Sequence, residues 1–130
     1  MKDLCPPGWP RPKGYSNAMA ARGRIVMTAG VVGWNERHEF VEKTLAGQFA
    51  QTLRNIVAIL ECDGACPKNI ARLTCYVISI DDYLASAKEI GASWREIMGK
   101  HYPAMALVEV VRLVERDAKV EIEATAVVPE

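Results

Sequence analysis

One run near the C-terminal end of the chain is apolar on both sides of a strand, and this limits the folds open to it. In YPAMALVEVVRL (102–113), eight of the ten residues from Ala104 to Leu113 are apolar, interrupted by Glu109 and Arg112. KVEIEATAVV (119–128) follows the same pattern with Glu121 and Glu123. Successive side chains on a strand point to opposite faces. Met105, Leu107, Glu109 and Val111 therefore share one face, and Ala106, Val108, Val110 and Arg112 the other. In the second run Val120, Ile122, Ala124 and Ala126 form an apolar face, opposite Glu121, Glu123 and Thr125. RIVMTAG (24–30) is apolar both ways too, with Ile25 and Met27 against Val26 and Thr28. A sheet built from such strands needs cover on both faces.

The remaining segments supply cover for only one. Leu45, Phe49, Leu53, Ile56 and Leu60 recur every three or four residues between Thr44 and Cys62. That is an amphipathic helix, closed at Gly64 and stopped by Pro67. IARLTCYVISI (70–80) reads as a strand. Asp81 or Asp82 then caps a second helix running to about Gly99, with Tyr83, Ala87, Ile90, Trp94 and Ile97 as its buried stripe. Upstream, GYSNAMAA and RIVMTAG flank Arg22-Gly23 and read as a β-hairpin, followed by a loop, VVGWNERHEF, with a short strand near Phe40. The order is β-β-(β)-α-β-α-β-β, an α/β (α+β) chain with one sheet of five to six strands. Two helices cover one face of such a sheet. The other face is expected to pack against copies of the same chain.

This places the charges. A helix-packed core accepts carboxylates only at high cost, so Glu121 and Glu123 belong on the helix-free face, near the contact between copies. An acid there is a solvated rim residue, half of an ion pair across the interface, or a functional acid, and the pattern leaves all three open.

A length of 130 residues is one domain. Residues 1–13, with four prolines, read as an N-terminal arm, and 14–130 as a single domain. Sixteen basic residues cancel sixteen acidic ones, and no basic run interleaved with aromatics appears, so nucleic acid is not an expected partner. No apolar run approaches the roughly 18–20 residues of a membrane span. The arm lacks the apolar stretch of a signal peptide, and a cytoplasmic location is expected. The four cysteines are then expected to be reduced. CDGAC (62–66) lacks the C-x-x-C spacing and the neighbouring His or Cys ligands of a metal site. It reads as a helix end and turn, and no metal is expected.

The residues GYSNA (14–18), MTAG (27–30), QTLRNIVAILE (51–61), LTCYVISIDDY (73–83), YPAMALVEVVRL and KVEIEATAVV stand in an order and spacing similar to the Rid, or YjgF, family of reactive-intermediate imine/enamine deaminases. The resemblance runs from Gly14 to Val128. It implies a chorismate-mutase-like fold with one mixed sheet and two helices on one face. It also implies a homotrimer with ligand clefts between subunits, and hydrolysis of a small imine or enamine metabolite without metal or organic cofactor. Matched position by position, Tyr15 and Gly30 line the cleft and Glu121 orients the attacking water. The family's substrate-clamping Arg, in a PAR[ST] motif, has no counterpart here. This chain reads PAMAL, with Met105 at the Arg position and Leu107 in place of a small residue. An Asn of the family's second helix falls nearest Ala87 or Gly91. Trp34 joins Met105 and Leu107 as a candidate apolar wall, and Arg22, Arg24 and His101 are candidate substitutes for the missing cation. Guanidinium forks onto a carboxylate, whereas Met donates no hydrogen bond. The expected function is a divergent deaminase-type hydrolase acting on a larger or less anionic metabolite. The alternative is a non-catalytic small-molecule-binding or regulatory protein of the same fold.

Overall fold

The computed structural model describes residues Met1–Glu130. Its strands are β1 (Lys2–Leu4), β2 (Ala18–Ala20), β3 (Arg24–Met27), β4 (Val31–Val32), β5 (Ile70–Val77), β6 (Ala104–Glu109) and β7 (Val120–Val128). Its helices are α1 (Leu45–Glu61), α2 (Ile80–Ala85) and α3 (Ala87–Met98), with a 3₁₀ turn at Pro67–Asn69. The five-stranded sheet runs β3-β7-β5-β6, and β4 also pairs with β7. The β5–β6 pair is parallel and the other pairs are antiparallel, so the sheet is mixed. α2 and α3 form the crossover that a parallel pair requires. The protein is α+β, as expected.

The core lies between the helices and one face of the sheet. Leu45, Phe49, Leu53, Ile56 and Leu60 of α1 are buried against Leu73, Cys75 and Val77 of β5 and Val120, Ile122, Ala124 and Ala126 of β7. The Thr44 hydroxyl caps α1 by accepting from the Gly47 amide at 3.0 Å. Gly64, at φ +77°, turns the chain out of the helix in a conformation that disfavours a Cβ. One buried polar side chain ties this layer to the far end of the sheet. The Gln48 amide donates to the Asp117 and Glu42 carbonyls at 2.9 and 3.2 Å, and its oxygen accepts from the Lys119 amide at 2.7 Å. The opposite face carries no helix and leaves Ile25, Met27 and Val108 exposed at 63%, 72% and 45%. Glu121 and Glu123 lie on that face, as strand parity requires.

Five local expectations are corrected. No hairpin joins β2 to β3. β2 pairs with β1 in the N-terminal arm, and β3 pairs with β7 across the sheet. Pairing with the long β7 also packs Val26 against the core, which a local hairpin would not provide. The short strand that follows Gly30 is Val31–Val32, not a segment near Phe40. The second helix begins at a Ser79 cap, whose hydroxyl accepts from the Asp82 amide at 3.1 Å. Asp81 and Asp82 instead occupy its first turn, where negative charge suits the helix dipole. That helix is also broken into α2 and α3 at Ser86 (φ −98°, ψ 7°), which leaves Ala87 exposed and Met98 buried. Finally, β6 stops at Glu109, whose carboxylate accepts from the Ile80 amide at 3.0 Å. Arg112 therefore sits in a loop.

Candidate functional site

Glu121 and Gly30 meet at a break in the sheet edge. Met27 pairs with Thr125 and Val31 with Ile122, so three residues, Thr28 to Gly30, stand opposite two, Glu123 and Ala124. The extra residue makes a bulge, a device common beside active sites. It is pinned by the Thr28 amide donating to the Ala124 carbonyl at 2.9 Å and the Ala124 amide donating to the Thr28 hydroxyl at 3.0 Å. The bulge brings Gly30 against the Glu121 carboxylate. A Cβ on Gly30 would lie 2.4 Å from Glu121 Oε2 and 2.8 Å from Cδ. The carboxylate thus rests where only a glycine leaves room.

The two acids of VEIEA are not equivalent. Tyr76 donates its hydroxyl to Glu123 Oε1 at 2.9 Å. This bond, with burial and the charges of Glu123 and Glu121, pushes the Tyr76 hydroxyl above its ordinary range, against a lowering by Arg72. Glu123 is therefore engaged in a structural contact. Glu121, half-buried, makes no hydrogen bond or ion pair within the chain. An ionised carboxylate is an acceptor only, which suits it to hold and orient a water.

Met105 and Leu107 lie on the other face. They pair with Leu73 and Cys75 of the buried side of β5 and pack against the helix-covered core. Because β6 is an edge strand, Met105 borders a cavity of about 300 Å³ under α2 and α3, lined also by Phe49, Tyr83, Ile90 and Trp94. Gly91 and Ala87 of α3 line it as well. The walls are braced by Trp94 stacked on Tyr102 (centroids 6.0 Å apart, planes 4° apart) and by Trp94 Nε1 donating to the His101 carbonyl at 3.0 Å. Burial pushes the Tyr83 hydroxyl above its ordinary range and the neighbouring Cys75 thiol up to about 12. Arg95, which no motif in the sequence singles out, also lines this cavity. Its position four residues after Gly91, on the same side of the helix, was the available signal.

The other candidates lie apart within one chain. Tyr15, 42% exposed, borders a second groove with Arg22 and His101, and this groove shares Tyr102 with the Met105 cavity. The adjacent Ser16 amide donates to the Pro103 carbonyl at 3.0 Å, which fixes this segment beside the start of β6. Trp34 stacks on His38 at 3.8 Å and meets Phe40 at 5.7 Å in its own loop. Of the candidate cations, Arg24 is paired with Asp63 and His101 Nε2 lies 2.6 Å from the Ile70 carbonyl. Neither borders the Met105 cavity. No group of three or more His, Cys, Asp or Glu side chains is arranged to hold a metal ion. No helix is long and apolar enough to cross a membrane.

Fold and site together define an α+β protein with an acid on the open face of its sheet and an apolar pocket at its edge strand. The chain belongs to the Endoribonuclease L-PSP family, whose model matches residues 10–128, and whose members also carry the names RutC, YjgF and Rid. It is 32% identical over 108 residues to the 2-iminobutanoate/2-iminopropanoate deaminase of Escherichia coli K12, covering 81% of this chain and 80% of that protein. Among solved structures, a conserved Rid-family protein of unknown function, YyfB from Yersinia pestis, superposes with a TM-score of 0.82 at 31% identity, over 98% of both chains. The YjgF gene product of E. coli superposes with a TM-score of 0.71 at 30% identity, also over 98% of both.

Proposed function

We propose that the protein is a homotrimeric deaminase-type hydrolase acting on an imine or enamine metabolite in a cleft between subunits. The observation that carries the reading is the free Glu121 carboxylate held against Gly30. In one chain Glu121 and Met105 occupy opposite faces of the sheet, so a cleft containing both draws them from different subunits. The exposed Ile25, Met27 and Val108 on the helix-free face supply apolar surface for that assembly. The deaminase activity named for the E. coli relative supports the reaction class.

In the proposed reaction Glu121 orients a water toward the imine carbon. The water's oxygen bonds to that carbon and a proton passes to nitrogen. The resulting carbinolamine breaks its C–N bond, so C=N plus water becomes C=O plus ammonia. Placement and proton transfer suffice for this chemistry, so no cofactor is assigned. Tyr15 and Gly30 would bind substrate, with Met105, Leu107 and Trp34 forming apolar walls. The zero net charge offers no electrostatic argument for RNA as substrate. The absence of Arg at position 105 favours the second reading, a binding protein without turnover.

The deciding test generates imino acids in situ with an amino-acid oxidase and follows keto-acid formation above the uncatalysed rate. Glu121→Gln is expected to lower turnover by about 10²-fold or more. Unchanged turnover would refute the role of Glu121. The expected solution mass is about three times 14.3 kDa, and a monomer would remove the cleft itself.

A further inference from the structure

The Met105 cavity has aromatic walls and a single charged lining residue, Arg95. Its guanidinium forms no ion pair and no hydrogen bond within the chain, and the adjacent Glu96 instead faces Arg54 at 3.8 Å. Arg95 Nη1 lies 3.5 Å from the position a Gly91 Cβ would take, so the side chain folds back along α3 over the glycine that lines the cavity. A helical side chain leans toward the preceding turn, which explains this course.

We propose that Arg95 binds the substrate's carboxylate in this cleft and that the ligand is a 2-imino or 2-keto acid bearing an aromatic ring. The proposal rests on the reading that Met105 borders the substrate cleft. Three features agree with it. Guanidinium is the side chain suited to a two-pronged carboxylate contact. Phe49, Tyr83, Trp94, Tyr102 and Met105 offer an apolar, largely aromatic surface for the ring. A cavity of 150 Å³ accommodates benzene, so about 300 Å³ holds a ring with a three-carbon acid attached. A two- or three-carbon imino acid would leave those walls in contact with water. Met at position 105 and the position of Arg95 then have one explanation: the carboxylate contact is made from α3 rather than from the edge strand, and the space beside Met105 takes the substrate's ring.

The test is calorimetric titration of the full chain with 3-phenyl-2-oxopropanoate, 2-oxopropanoate and phenylacetone, which has the ring and ketone without the carboxylate. The phenyl keto acid should bind at least tenfold tighter than 2-oxopropanoate. Arg95→Gln should weaken it by about tenfold, leave phenylacetone within twofold, and leave the melting temperature unchanged because Arg95 is exposed. Arg95→Lys should recover part of the loss. Equal binding of the phenyl keto acid by Arg95→Gln, an equal loss for phenylacetone, or no binding by the unmodified chain overturns the proposal. Turnover is scored separately. Binding as expected with no Glu121-dependent hydrolysis refutes the deaminase reading and upholds Arg95. Glu121-dependent hydrolysis of the phenyl imino acid that is indifferent to Arg95→Gln does the reverse.

Discussion

Substituting Gly30 by Ala separates the position of Glu121 from the stability of the fold. The added Cβ would stand 2.4 Å from Glu121 Oε2, whereas an ordinary contact begins near 3.4 Å. One of the two groups must therefore move by about 1 Å. Gly30 is fixed by the bulge and its bonds to Ala124, while the carboxylate is the free end of a side chain with no partner in the chain. The carboxylate yields. A displacement of about 1 Å in a group that positions a reactant costs on the order of 10²-fold in rate. Gly30 does not have a positive φ, so Ala is compatible with its backbone. The unfolded chain loses freedom, and stability should hold or rise by about 0.4–1 kcal/mol. The assay pairs keto-acid formation with urea unfolding. Turnover should fall about 10²-fold at undiminished stability, and Gly30→Ala should add little to a Glu121→Gln background. Full activity, or a loss of activity tracking a loss of stability, would refute the reasoning. So would additive effects of the two substitutions.

Two further predictions concern the core. Burial raises the Cys75 thiol from 9.0 to about 12. The folded state then keeps a proton that the unfolded chain releases, so this contribution to stability is fully present below about pH 9 and is lost as pH rises through about 12, at about 1.4 kcal/mol per pH unit. Urea unfolding at pH 8 and 10.5 should show a steeper fall for the unmodified chain than for Cys75→Ala, and parallel falls would refute the assignment. Replacing Gln48 by Leu leaves the Asp117 carbonyl and Lys119 amide without their partners. It should cost about 2 kcal/mol in unfolding free energy, and a change below about 0.5 kcal/mol would show that water replaces those bonds freely.

Much of the fold was legible because the period of its apolar residues is a local property. The stripe of α1 from Leu45 to Leu60 and the alternation from Val120 to Ala126 each follow from spacing alone. The assignment of Glu121 and Glu123 to the helix-free face needed only strand parity and the cost of burying a carboxylate. The hairpin expectation failed because pairing partners are chosen by distant segments. β3 gains more by lying along β7, a hundred residues away, than along its sequence neighbour. The break at Ser86 has no signature in the sequence, since the stripe of Tyr83, Ile90 and Trp94 continues across it.

The site divides in the same way. The family pattern, the acid at position 121, the glycine at position 30 and the methionine at position 105 are legible in the sequence. Residue type and order are sufficient for these. Three-dimensional packing alone leaves Glu123 occupied by Tyr76 and Glu121 free, and seats the Glu121 carboxylate on Gly30 through the bulge at Thr28–Gly30. It also separated Met105 from Glu121 by the thickness of the sheet and brought Arg95 to the Met105 cavity. The reason is physical: which side chains share a pocket depends on strand pairing and helix packing between remote segments, and no local pattern encodes those distances.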